Sequence, residues 1–259
     1  MKDVESVWKI YKQGRVRRME IKERYFFQED QQAVIHLPQR PNGFGILYIG
    51  GRSHYVENQE SCLIHHVDKK GMIEYFRSQG YTIFTCNFYG RHWGSDQALF
   101  LANTLYHSVM RKETLNPAVH IIGEDMGALL VCKLFRNSPI RIRSIVLLNP
   151  ILNLQDELEM ERKNIVFYKR TLQEVLNAYQ TNNLNLALKK GCNFYENITP
   201  IKIYSSTRNH YKWKNQIRSI EQERLSRKLD FSLLIFHEDK KYAYGRDIHQ
   251  FFKLHQKVL

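Results

Sequence analysis

Short apolar, β-rich runs alternate with amphipathic helical stretches along most of this chain, and no other feature restricts its fold as much. Gly45 to Ile49, Tyr81 to Phe88, Val119 to Ile122, Ser144 to Leu148, Ile201 to Tyr204 and Phe231 to Phe236 read as strands. Val67 to Gln79, Asp96 to Arg111, Met126 to Phe135, Trp213 to Leu229 and Tyr244 to Val258 read as helices. Strands joined through helices run mostly parallel, in a sheet that those helices bury on both faces. The predicted class is therefore α/β, with a mostly parallel central sheet flanked by helices. Upstream, a short N-terminal helix precedes Arg18 to Phe27 and Ala33 to Leu37, which predict a hairpin over the polar turn Gln28 to Gln32. That hairpin adds antiparallel strands at one edge.

One stretch interrupts the alternation. Leu154 to about Lys190 is polar and helix-forming throughout. Residues 153–197 are accordingly expected as a helical cap over the sheet, within a single domain spanning residues 1–259. No repeat, low-complexity tract or linker divides the chain.

Composition narrows the class further. At 43% hydrophobic residues, 259 residues can fill one core of this size. The N-terminal sequence carries Asp3 and Glu5 and lacks the apolar run of a signal peptide. No window holds the roughly 18 apolar residues that a membrane span requires. The four cysteines are far apart and form no CxxC pair; Cys86 and Cys132 lie in apolar stretches and read as buried thiols of a reducing compartment. The expected location is the cytoplasm. The formal net charge is +13, with clusters at Arg15 to Arg18, Arg141 to Arg143 and Lys212 to Arg218. No nucleic-acid-binding motif accompanies them. They read as solvated faces, or as attraction to an anionic substrate, partner or membrane surface. No cofactor or metal pattern is present.

The loops at the strand ends carry the chemistry. Val119 to Ile122 runs straight into Gly123-Glu-Asp-Met-Gly127, where a helix begins; Gly45 to Ile49 ends in Gly50-Gly51-Arg52; Phe88 to Ser95 follows the next strand. In this order the three loops resemble the α/β-hydrolase fold over nearly the whole chain. The GEDMG segment resembles the nucleophile elbow G-x-S-x-G, with Asp125 in the serine's place. By that resemblance the amides of Gly51 or Arg52 and of Met126 form an oxyanion hole. His54, Tyr55, His92 and Trp93 line a pocket for a small-molecule substrate or ligand.

An elbow aspartate resembles epoxide hydrolases and haloalkane dehalogenases, whose carboxylate attacks carbon to form an ester that a histidine-activated water hydrolyses. This resemblance makes Asp125 the nucleophile and His237, directly after the last strand, the base; His249 is the weaker candidate. Asn209 stands in the region where the orienting acid usually lies, and no Asp or Glu occurs from Ile198 to Ile220. After the preceding strand the sequence reads Asn149-Pro150, with Asp156 the nearest carboxylate. Met126 replaces the tryptophan usual in both families, which disfavours dehalogenation. Two readings stay open. The first is a hydrolase of an ester or epoxide. The second is a catalytically inactive binding or regulatory protein that keeps Asp125 as a helix N-cap. Glu124 reads as a surface or loop residue.

Overall fold

The computed structural model describes residues 22–188, 194, 198–209, 216–237 and 244–256. The N-terminal helix and the basic clusters at 15–18 and 212–215 lie outside these residues.

The main sheet has strands β1 (Glu23–Gln28), β2 (Gln31–His36), β3 (Gly45–Ile49), β4 (Thr82–Cys86), β5 (Ala118–Glu124), β6 (Arg141–Leu148), β7 (Ile201–Ser206) and β8 (Phe231–Phe236). Their order across the sheet is β1-β2-β4-β3-β5-β6-β7-β8. Strand β2 is antiparallel to both neighbours, and every other pairing is parallel. The hairpin turns over Glu29 and Asp30, with Gln28 opposite Gln31 and Glu29 at φ 53°. β3 to β6 are the central strands, and their residues are almost all buried.

The helices are α1 (Cys62–His65), α2 (Val67–Ser78), α3 (Asp96–Lys112), α4 (Gly127–Asn137), α5 (Leu154–Glu161), α6 (Ile165–Ala178), α7 (Leu184–Leu188), α8 (Arg218–Ser226) and α9 (Gly245–Leu254). One face of the sheet packs on α3, α4 and α8 through Leu101, Leu105, Leu134 and Ile220. The other packs on α2 and α9 through Met72, Phe76, Ile248 and Phe252. Two apolar layers on a parallel sheet account for the continuous, rather than alternating, hydrophobic runs of β3 and β4.

The predicted helical stretch after β6 is broken into α5, α6 and α7. Asn153 caps the first and Asn164 the second, each through a side-chain oxygen that accepts two backbone N–H groups. Their apolar residues Leu154, Leu158, Val175 and Ala187 form a third cluster with Trp93 and Met126. The cap helices therefore pack on the loop after β4 and on the residue after Asp125. A two-strand ribbon, Val56–Glu57 with Glu60–Ser61, and the short helix α1 follow β3. The sequence reading contains neither, because both are too short to show periodicity.

One expectation from cysteine usage is overturned. Cys62 and Cys86 are free and buried, but Cys132, on α4, is disulfide-bonded and not a free thiol. No helix among the described residues is long and apolar enough to cross a membrane.

Candidate functional site

Asp125 follows the last residue of β5 and precedes α4, at φ 52°. Left-handed backbone is costly for most L-residues, and Asp and Asn tolerate it best. Its N–H donates to Leu148 O (3.0 Å), while its carbonyl accepts from Ala128 (3.2 Å) and Ile151 (3.0 Å). The turn is thus tied to the end of β6 and to the first turn of α4. Small residues permit this tightness. A Cβ on Gly127 would lie 2.4 Å from Ile49 O, and one on Gly123 would lie 2.6 Å from Val131 Cγ2. A Cβ on Gly51 would meet Asp125 Cβ at 2.6 Å, so the loop after β3 approaches the elbow only because it carries glycine there.

The carboxylate of Asp125 is held by Arg52. Nε donates to Oδ2 (3.0 Å), Nη2 to Oδ1 (3.2 Å), and the Arg52 backbone N–H to Oδ2 (3.2 Å). The same guanidinium reaches the cap, donating through Nη1 to Glu161 Oε1 (3.2 Å) and lying 3.6 Å from Glu157 Oε1. Glu157 and Glu161 are four apart on α5 and so share a face. Trp93 packs below, with the Arg52 guanidinium carbon 5.8 Å from its ring centre. Burial works against the charge of Arg52, yet Asp125, then Glu157 and Glu161, hold its pKa above the usual arginine value.

This geometry changes how several predicted residues stand. The helix N-cap is Met126 with no side-chain cap hydrogen bond, and the carboxylate of Asp125 is bonded to Arg52. The Arg52 amide, predicted as an oxyanion donor, is bonded to the carboxylate of Asp125 itself. Met126 is fully buried against the cap cluster. Glu124, partly buried at the end of β5, accepts from Lys69 (2.5 Å) and Tyr48 (2.8 Å).

His92 is buried, and its Nδ1 accepts from the Gly94 N–H at 3.1 Å, which leaves its proton on Nε2. Burial lowers its pKa to about 4, against the favourable influence of the Gly50 backbone and Asp125. With Tyr89, Arg91, Ser95, Gln97, Glu174 and Asn177 it lines a cavity of about 240 Å³ between the loop after β4 and α6. Arg91 and Glu174 pair across its wall.

His54 belongs to a separate buried cluster. Its Nε2 donates to Cys86 O (3.0 Å), so Nδ1 is the acceptor for the Cys62 thiol at 3.1 Å. Burial lowers the imidazole to about 3 and raises the thiol. The pair is neutral, which is the opposite of an activated thiolate. Tyr55 bonds His65 near the surface, and His249 faces Tyr81.

His237 is exposed immediately beyond β8. β8 stands three strands away from β5, so their ends are separated laterally by about 14 Å at the usual strand spacing. Asn209 ends a 3-10 turn after β7, and its side chain lies outside the described residues. Asn149, at φ 46°, accepts from the Ser206 N–H (2.7 Å) and ties β6 to β7. Asp156 is raised by burial, against a hydrogen bond with Gln216. Among the described residues no group of His, Cys, Asp and Glu is arranged to hold a metal ion.

Comparisons with known proteins agree with the architecture. Among solved structures the chain is similar to a Staphylococcus aureus protein assigned as an esterase (TM-score 0.63, 15% identity, 93% of this chain and 86% of that one). It is similar to an esterase of the bacterial hormone-sensitive lipase family (0.62, 13%, 91% and 84%). It is also similar to an S-formylglutathione hydrolase from Agrobacterium tumefaciens (0.58, 11%, 91% and 95%). At these identities the likeness is one of fold. No curated protein sequence matches the chain. A family model described as the alpha/beta hydrolase fold matches residues 46–196, from the start of β3 through the cap. With that match over more than half its length, and the strand order and elbow described above, the chain belongs to the α/β-hydrolase fold family.

Proposed function

We propose that this protein is a catalytically inactive α/β-hydrolase-fold protein that binds a small molecule or partner, with Asp125 kept as an ion-pair anchor and not as a nucleophile. One observation carries the reading: both oxygens of Asp125 accept from Arg52, whose guanidinium stands between the elbow and the cap. A carboxylate nucleophile needs a lone pair directed at the electrophile. Here the charge is delocalised into a two-pronged ion pair that engages both carboxylate oxygens. The cavity beside His92 is polar and supports the binding of a small polar ligand.

The strained elbow favours a second reading. A left-handed Asp125 is the backbone state of a catalytic elbow, and such strain clusters at functional sites. In that reading Arg52 swings aside when substrate enters. Intact-mass spectrometry after incubation with epoxides and activated esters separates the two. The proposal expects no adduct on the wild type or on His237→Gln, where a trapped ester would accumulate for want of a base. A covalent adduct mapped to Asp125 in either protein would overturn it.

A further inference from the structure

We propose that the tip of the cap, at the start of α6, docks onto an anionic lipid bilayer surface. Ile165, Val166 and Phe167 are consecutive, and each is more than half exposed. Successive helical residues point about 100° apart, so three neighbours can all be exposed only where the turn itself projects from the body. Asn164 fixes that turn, its Oδ1 accepting from the N–H groups of Val166 (3.1 Å) and Phe167 (3.4 Å). Inward anchoring comes from Thr171 and Val175, both buried. The outcome is a rigid apolar knob.

Charge identifies its partner. Arg162, Lys163, Lys169 and Arg170 flank the knob, all exposed, and residues 162–170 contain no Asp or Glu. Arg170 also pairs with Glu174 (3.0 Å), so Arg162, Lys163 and Lys169 supply most of the unbalanced charge. The apolar trio reaches the acyl boundary while the basic ring meets lipid phosphates, the arrangement of an interfacial anchor. A knob also fits a deformable lipid surface better than a flat protein face. A second copy of this chain would bring the same four cations and a net charge of +13 against itself. An acidic macromolecule alone would leave the three apolar side chains without a role. The proposal holds whichever way the elbow functions.

Co-sedimentation with phosphatidylcholine vesicles, with and without phosphatidylserine, tests it. The expected result is binding to the serine-containing vesicles only. Replacing Ile165, Val166 and Phe167 together by serine should weaken that binding at least about tenfold while leaving the melting temperature unchanged. The single variant Phe167→Trp should show a blue-shifted emission, after subtraction of the wild-type signal, when those vesicles are added. Absence of binding to anionic vesicles would overturn the proposal. So would full binding by the triple-serine variant, which would mean net charge alone. An unshifted Trp signal, or a concentration-dependent dimer that the triple variant abolishes, would overturn it as well.

Discussion

Arg52 meets Asp125 through one backbone and two side-chain hydrogen bonds, and the same guanidinium faces Glu157 and Glu161 on α5. One cation therefore serves three carboxylates and joins the loop after β3, the elbow and the cap.

Replacing Arg52 by alanine leaves those three carboxylates facing one another. The expected cost at neutral pH is about 2–3 kcal/mol, the size of lost charge-assisted hydrogen bonds in a partly buried site. Mutual repulsion raises the carboxylate pKa values in the folded variant above their unfolded values. Such groups favour the fold at low pH and lose that contribution as pH rises through the folded pKa. Thermal unfolding of Arg52→Ala should accordingly show a deficit that shrinks from pH 7 towards about pH 4, near the reference carboxylate range. A deficit independent of pH would mean that Arg52 acts by packing alone.

Close approach of two loops at the elbow gives a second expectation. Gly51→Ala places a Cβ 2.6 Å from Asp125 Cβ, and Gly127→Ala places one 2.4 Å from Ile49 O. Neither obstacle is the far end of a flexible side chain, so both variants should lose about 2 kcal/mol or more. Gly71 is the control. It lies within α2, is exposed, and has nothing within 4 Å of its added Cβ. Gly71→Ala should gain about 0.5–1 kcal/mol from helix propensity. Urea denaturation of the three proteins checks the contrast, and equal effects at all three sites would refute it.

Cysteine reactivity provides a third. Alkylation of the denatured, unreduced chain should label Cys62 and Cys86 and spare Cys132, which becomes reactive only after reduction. Peptide mass mapping reads this directly, and labelling of Cys132 without reductant would contradict the disulfide.

What the sequence revealed and what it concealed have different physical origins. The central strands were legible because a buried parallel strand is a continuous apolar run bounded by Gly or Pro, as Gly45 to Ile49 shows residue for residue. The tight turn from β5 into α4 was legible because close approach demands glycine at 123 and 127. The Arg52 network was not. Arg52, Glu157 and Glu161 look like ordinary surface charges in one dimension, and only the folding of α5 over the elbow pairs them across more than a hundred residues. The arginine directly after Gly50-Gly51 was the available signal. Cys132 was misread for a related reason: an apolar context predicts burial, and burial does not distinguish a thiol from a disulfide.

Two buried histidines make stability depend on mild acid. Burial lowers His92 to about 4 and His54 to about 3, from about 6.5 for an unperturbed imidazole. Below pH 6.5 the unfolded chain takes up protons that the folded chain refuses, so stability falls with pH until the folded imidazoles themselves titrate. Each unit of pKa difference corresponds to about 1.4 kcal/mol, so His92 alone can remove roughly 3 kcal/mol between pH 6.5 and its folded pKa. His36 and His120 are also lowered by burial and add to the trend. His92→Asn isolates one contribution, because its Oδ1 can stand in for Nδ1 and accept the Gly94 N–H without titrating. Denaturant unfolding at intervals from pH 7 to about 4.5, within that window, should show a steep decline for the wild type. The variant's slope should be lower by up to one proton. Parallel slopes would mean that His92 takes up its proton in the folded state as readily as in the unfolded one, and would refute the lowering by burial.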